Sequence, residues 1–175
     1  MRNGYSLLQI VLHWTIAALV AIQFLFHDGM EKAFDDFVDG DRVRGDERAG
    51  AWLHASIGMT ILALAMVRLI VRMRRGVPSA HRDKSAYLIW IASATHVALY
   101  GFIFAMPIVG AIAWFDLSEA AGDVHSAGAS LLLTLIGLHA AGACAEHFVF
   151  RNDTLKRMLI PERTQRHAPL SRVDG

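Results

Sequence analysis

The hydrophobic positions of this chain fall in four long blocks, at roughly residues 5–26, 51–71, 86–114 and 124–150. Each block exceeds the roughly 20 residues that an α-helix needs to cross the hydrocarbon core of a bilayer. Charged segments separate the blocks, and no cluster of turn residues interrupts them. The pattern therefore predicts an all-α fold, a four-helix transmembrane bundle. Pro107 is expected to kink or loosen the outer end of the third helix, with Gly110 close behind it.

Composition agrees with a membrane protein of one domain. Of the 175 residues, 54% are hydrophobic, and the mean hydropathy is +0.37. The first block is long and lacks a small-residue cleavage site, so it is expected to remain as a membrane helix. We expect residues 1–160 to form the membrane domain and residues 161–175 a cytoplasmic tail. Membrane lipid is thus an expected partner, and no feature predicts a nucleic-acid partner. The single cysteine, Cys144, excludes an intramolecular disulfide and any cysteine-based iron–sulfur or zinc site.

Charge predicts the orientation, because short cytoplasmic flanks carry an excess of lysine and arginine. The loop between blocks two and three and the C-terminal tail are basic, through Arg72, Arg74, Arg75, Arg82, Lys84, Arg151, Lys156, Arg157, Arg163, Arg166 and Arg172. The loop at residues 28–50 holds eight acidic residues against four basic ones. The loop between blocks three and four has no basic residue. Both termini are therefore predicted to be cytoplasmic, in the inner membrane of a bacterium.

Histidines inside the blocks lie at matching depths. At about 1.5 Å per residue, His13 lies about 12 Å from the cytoplasmic end of helix one, and His139 lies about 13 Å from that end of helix four. Near the outer side, His54 comes three residues into helix two, and His125 begins helix four. The 14 residues between His125 and His139 make almost four helical turns, about 21 Å, so both rings leave one face. Two bis-histidine sites are predicted, His13 with His139 and His54 with His125.

The chemistry of these sites favours haem. Structural zinc takes four ligands, usually including thiolates, and calcium and magnesium take oxygen ligands. Haem iron needs two axial ligands, and its large apolar ring suits a bundle core. Haem b is implied because the chain has no CxxCH attachment motif. A single histidine in an apolar helix is more often a hydrogen-bonded core residue, but four at matched depths favour ligation of two haems about 20 Å apart. Small residues near the histidines, Gly58, Gly128, Gly137, Ala140, Ala141 and Gly142, are expected to leave room for the ring.

Five stretches resemble the bacterial cytochrome b561 family of four-helix, diheme b-type membrane cytochromes. They are YSLLQIVLHW (5–14), WLHASIG (52–58), MVRLIVRMR (66–74), THVALYGFIFAMPIVG (95–110) and GLHAAGACAEHFVFRNDTLKRMLIP (137–161). The resemblance places His13, His54, His125 and His139 at the family's ligand positions for the iron of two haem b groups.

The resemblance also implies an activity and its alternatives. One branch of the family is a superoxide oxidase, a superoxide:ubiquinone oxidoreductase, in which superoxide reduces the outer haem and ubiquinone is reduced at the inner side. Other branches exchange electrons with protein partners or serve as haem-bearing membrane anchors of dehydrogenases or hydrogenases. Two features depart from the superoxide-oxidising branch: the short loop WFDLSEAAGDVH (114–125) and the pair Glu146–His147, where that branch tends to have two histidines.

Several other polar residues have two interpretations. His96 is either a core histidine bonded to a backbone carbonyl or a residue that binds or protonates a quinone, and it is also an alternative partner for His139. Arg68 either pairs with a haem propionate or extends to the lipid headgroups. Glu146 and His147 lie where protons would reach a quinone, although a solvated helix end is the simpler interpretation. His27, His81 and His167 are expected to have no ligand role.

A histidine-rich metal transporter is the alternative from another functional class. It would need acidic residues inside the bundle, and only Glu146, at a helix end, meets that requirement. The acidic outer loop would repel an anion such as superoxide unless Lys32, Arg42, Arg44 or Arg48 forms a local positive entrance.

Overall fold

The computed structural model describes residues 4–76 and 86–162, and these residues form helices and connecting turns with no β-strand. The long helices are α1 (Leu7–Leu25), α3 (Gly45–Arg75), α4 (Ala86–Asp116) and α5 (Glu119–Cys144), and α5 continues into a π-helical turn, Ala145–Val149. Two short helices, α2 (Asp28–Val38) and α6 (Thr154–Arg157), complete the described fold. Among the described residues, four helices are long and apolar enough to cross a membrane. The prediction of an all-α, four-helix transmembrane bundle is confirmed.

One end of the bundle joins the beginning of α1 to the ends of α3 and α6. The Ser6 hydroxyl accepts a hydrogen bond from the Gln9 amide, and the Gln9 side chain accepts one from the Ser6 amide, which forms a capping box. The Gln9 side-chain amide also donates to the carbonyl oxygen of Gly76 at the end of α3, at 3.1 Å. Beyond α6, the Trp14 indole donates to the Met158 carbonyl oxygen at 2.8 Å. We call this the basic end, because α3 finishes there with Arg72, Arg74 and Arg75.

The short helix α2 covers the opposite end of the bundle, in a segment that the hydrophobic pattern predicted to be a loop. Its apolar residues, Ala33, Phe34 and Phe37, recur at helical spacing within an otherwise charged segment. Ala33 is fully buried, and α2 approaches α3 so closely that a Cβ atom on Gly50 would lie 2.9 Å from the Cα of Gly29. We call this the cap end.

Aromatic side chains of α2 reach the other two helices that meet at the cap end. The Phe34 ring packs over Gly122 of α5, where an added Cβ would lie 3.0 Å from a ring carbon. Phe37 stacks on Trp114 of α4, with ring centres 5.6 Å apart and planes 17° from parallel. The cap helix therefore touches α3, α4 and α5 above the level of His54 and His125.

Packing and surface both fit a bundle in lipid. A core cluster of Ile16 and Val20 from α1 with Ile61 and Ala65 from α3 lies between these two helices. On α4, Val97 is 69% exposed, and further apolar side chains continue that stripe along the helix. Water would not tolerate so long an exposed apolar surface, whereas hydrocarbon accepts it.

The structure extends two of the predicted helices. Helix α4 runs through Pro107 to Asp116, and the kink or loosening expected at the proline stays a prediction. Helix α3 begins at Gly45, six residues before the apolar block, because the Glu47 side chain accepts a hydrogen bond from the Arg44 amide and caps the added turn. Arg82, Lys84, His81, His167 and the tail from residue 163 lie outside the described residues.

Candidate haem-binding sites

The four predicted ligand histidines meet in two pairs. Near the cap end, His54 of α3 faces His125 of α5, with ring centres 6.1 Å apart and planes at 64°. Toward the basic end, His13 of α1 faces His139 of α5, with ring centres 6.2 Å apart and planes at 73°. We call these the cap-end pair and the basic-end pair. The structure thus brings together the same two pairs that the depths along the helices predicted.

These separations fit an iron atom between each pair of rings. With metal–nitrogen bonds of about 2 Å on either side, two axial imidazoles have ring centres about 6 Å apart. Direct ring stacking would require closer and more nearly parallel planes. The large interplanar angles do not oppose ligation, because each imidazole can turn about the iron–nitrogen axis. Both pairs therefore have the spacing that a bis-histidine haem requires.

The protonation of His125 also suits a ligand. Its Nδ1 atom lies 3.1 Å from the carbonyl oxygen of Met106 on α4. A carbonyl oxygen can only accept, so Nδ1 must carry the proton and donate it. The lone pair is then on Nε2, where a metal would bind.

His54 lacks such a partner. Its Nδ1 atom is buried and makes no hydrogen bond within the described residues. Iron bound at Nε2 would not supply a partner for Nδ1. The spacing of the two rings and the lone pair on Nε2 of His125 are therefore the features that fit a haem at the cap end.

Only some of the glycines near the histidines have open space beside them. Cβ atoms added at Gly137 and Gly142, on either side of His139, would meet no atom within 4 Å. Gly128 behaves differently, because an added Cβ would lie 2.8 Å from the Met106 sulfur. At Gly128, the space that the missing side chain leaves is occupied by the Met106 side chain of α4.

His96 joins the basic-end pair as a third imidazole. Its ring centre lies 5.0 Å from that of His139, and its Nδ1 donates to the Ala92 carbonyl oxygen at 2.6 Å. The backbone hydrogen bond matches the simpler interpretation of this residue. The 5.0 Å separation is shorter than the about 6 Å that an intervening iron would impose, so the geometry favours His13 over His96 as the partner of His139.

Arg68 is half-buried beside the basic-end pair. Its guanidinium group donates to the Gln9 carbonyl oxygen at 2.9 Å, and its charge lies within electrostatic reach of His13, His96 and His139. A cation beside the basic-end pair is suited to a haem propionate.

The π-helical turn at the end of α5 holds a polar network. The sequence predicted two of its members as candidates, Glu146 and His147, but not the third, Asn152. The Asn152 side-chain amide donates to the Glu146 carboxylate at 2.7 Å, and the His147 Nδ1 donates to the Asn152 carbonyl oxygen at 2.9 Å. Asn152 was missed because nothing in its sequence context marks it. The network holds a carboxylate two helical turns beyond His139 at the basic end.

Residues 4–76 and 86–162 do not form a binding site for a bare metal ion, which a metal transporter would need. Within these ranges, no group of three or more histidine, cysteine, aspartate or glutamate side chains is arranged to hold a bare metal ion. The geometry therefore offers no support for the transporter alternative.

Comparison with known proteins extends along nearly the whole chain. The family model described as prokaryotic cytochrome b561 matches residues 4–160. A cytochrome b562 of Cereibacter sphaeroides is 32% identical over 161 residues, which cover 90% of this chain and 96% of that protein. The probable superoxide oxidase CybB of Yersinia pestis is 28% identical, with coverage of 93% and 99%. Cytochrome b561 homolog 2 of Escherichia coli is 27% identical, with coverage of 89% and 90%.

The family match runs through all four long helices, the π-helical turn and α6. The matches confirm the family that the five sequence stretches resembled, and the family implies haem b as a cofactor. The chain therefore belongs to the prokaryotic cytochrome b561 family and is a membrane electron-transfer protein.

Proposed function

We propose that this chain is a diheme cytochrome b of the bacterial inner membrane that moves single electrons between a periplasmic donor and ubiquinone. The observation that carries the proposal is the presence of two imidazole pairs with ring centres 6.1 Å and 6.2 Å apart at two levels of one bundle. When bound, haem b supplies a one-electron couple at its iron. The four histidines would be the axial ligands, and the surrounding helices would exclude water.

The distribution of charge supports a cytoplasmic basic end. Within the described residues, α3 ends with three arginines and α6 carries Lys156 and Arg157 at the same end. At the cap end, α2 and the turn after it are rich in aspartate. Because cytoplasmic flanks carry an excess of lysine and arginine, this distribution supports an orientation with the cap-end pair near the periplasm and the basic-end pair near the cytoplasm.

Ubiquinone would react beside the basic-end pair. The Nδ1 atom of His96 donates to the Ala92 carbonyl oxygen, so Nε2 keeps a lone pair. That lone pair can accept a hydrogen bond from a quinol hydroxyl group, or take up a proton and pass it to a reduced quinone. Arg68 lies within electrostatic reach of the same rings and would pair with a haem propionate. The Glu146 carboxylate lies in the π-helical turn beyond this region, at the basic end, and would relay protons.

Superoxide is one candidate for the donor, because a relative aligned along 93% of this chain is named a probable superoxide oxidase. The charge of the cap end opposes an anionic donor, since residues 28–50 hold eight acidic residues against four basic ones. A positively charged soluble redox protein would meet no such repulsion. Either donor is compatible with the proposal, because it rests on the two imidazole pairs.

The proposal is tested with detergent-purified protein and a water-soluble ubiquinone analogue. We expect about two haems per chain by the pyridine assay, a b-type α-band on reduction, and reoxidation of the reduced haems by the quinone. Stopped-flow mixing of the oxidised protein with superoxide identifies or eliminates that donor. Haem-loaded protein that never reacts with quinone and co-purifies with a soluble dehydrogenase or hydrogenase would support the anchor-subunit alternative. Haem-free protein that takes up zinc tightly would support the transporter.

His96→Ala distinguishes a quinone-site residue from an axial ligand. We expect this variant to keep two haems and to lose most of its rate of haem reoxidation by quinone, because the group that takes up a proton and passes it to the reduced quinone is removed while His13 and His139 remain. Proton transfer by a positioned side chain contributes about 10²–10⁴-fold, which sets the scale of the loss. Loss of one haem in His96→Ala would instead make His96 the partner of His139.

A further inference from the structure

Helix α4 approaches the ring of His125 closely at Gly110. The added Cβ atom of an alanine at position 110 would lie 2.9 Å from Cε1 and 3.0 Å from Nδ1 of His125. Real Cβ atoms do not approach ring atoms so closely. The ring therefore occupies its position only because residue 110 is glycine.

That position gives His125 its hydrogen bond. With Gly110 beside it, the ring reaches the Met106 carbonyl oxygen one helical turn earlier on α4, and Nδ1 donates to it at 3.1 Å. A carbonyl oxygen has two lone pairs, so it can accept from the ring while the helix continues. The described structure shows no such partner for Nδ1 of His54, the other member of the cap-end pair.

We propose that Gly110 is a positioning residue that lets the Met106 carbonyl group orient His125, fix its tautomer and lower the reduction potential of the cap-end haem. A histidine ligand that donates its second ring hydrogen to a carbonyl group becomes a stronger base. A stronger base stabilises the oxidised iron more than the reduced iron, and this lowers the potential. The inference rests on the proposed function, because it requires His125 to be a haem ligand.

The test compares Gly110→Ala with the matched control Gly101→Ala on the same helix. A Cβ added at Gly101 meets no atom within 4 Å, so this control carries the same substitution without the clash. In redox titrations of the purified holoproteins, Gly110→Ala should raise the midpoint potential of one haem, change its low-spin ferric electron paramagnetic resonance signal and leave the other haem unchanged. Haem affinity at the altered site should fall by about 10-fold or more, the usual scale for loss of such a partner. Gly101→Ala should match the wild type.

Other outcomes separate this inference from the proposed function. His125→Ala, measured in parallel, should lose one haem. If it does so while Gly110→Ala has unchanged potentials and spectra, the role of Gly110 is refuted and haem ligation stands. If His125→Ala keeps both haems, the ligand assignment fails and the inference fails with it.

A measurement on the wild-type holoprotein does not depend on the folding of any variant. After ¹⁵N labelling of the histidines, nuclear magnetic resonance of the reduced, diamagnetic protein can resolve the Nδ1 protons of the axial ligands. The His125 proton should lie downfield of the His54 proton and exchange more slowly with solvent. An unprotonated Nδ1 on His125, or identical behaviour of the two rings, would refute the inference.

Discussion

Alanine at His13 and alanine at His139 should each reduce the haem content from about two to about one per chain, and both should remove the same haem. The two rings lie 6.2 Å apart on α1 and α5, so either substitution takes away one of the two axial bonds to one iron. The double variant should lose nothing more, because residues that act on one ligand are not additive. The measurements are the pyridine assay and low-temperature difference spectra.

The matched control for this first pair is His147→Ala. His147 lies near the same end of α5, but its Nδ1 donates to the Asn152 carbonyl oxygen instead of facing another long helix. We expect this variant to retain both haems. Two different haems missing from His13→Ala and His139→Ala would overturn the pairing, and full haem content in both would overturn ligation itself.

His54→Ala and His125→Ala should each remove the other haem and stop electron delivery from a donor at the cap end. The basic-end haem should remain and still exchange electrons with quinol, since His13, His139 and His96 are untouched. The expected result is therefore a chain with about one haem that quinol reduces but the periplasmic donor does not. Haem content, quinol-driven reduction and donor-driven reduction are measured on the same preparation.

His27→Ala serves as the control at the cap end. The His27 side chain is more than half exposed and its Nδ1 donates to the Phe24 carbonyl oxygen, so it has no place in either pair. This variant should keep both haems and both electron-transfer reactions. If donor-driven reduction survives without the cap-end haem, the donor reacts at the other end and the proposed direction through the bundle is wrong.

The spacing of residues was sufficient for most of the fold and for the histidine pairs. Four apolar blocks longer than a bilayer crossing predict four helices, and the backbone must close its own hydrogen bonds in lipid, which leaves few alternatives. Alternating helix directions place His13 level with His139, and His54 level with His125. Helical periodicity puts the two histidines of α5 on one face. Those three facts required no contact information.

Outside the membrane blocks, the local hydrophobic pattern predicted the structure less well. Helix α2 was missed because its short apolar face lies among aspartates, and its helical state depends on docking against α3, α4 and α5. The fit of Gly29 against Gly50 and the stack of Phe37 on Trp114 join residues far apart in sequence. The contact of Gly128 with the Met106 side chain likewise joins two helices, and no sequence pattern marked it.

The sequence by itself determined the fold class, the number of membrane spans and the depth of each imidazole in the membrane. Helix length, the distribution of lysine and arginine, and the rise per residue all follow from position along the chain. Only the tertiary structure decided which ring nitrogen of His125 carries a proton, that Gly110 admits that ring to the Met106 carbonyl group, and that Arg68 donates to the Gln9 carbonyl oxygen. These features depend on the rotation and approach of neighbouring helices. Rotation and approach are set by side chains from several segments packing at once, and no single stretch of sequence contains that information.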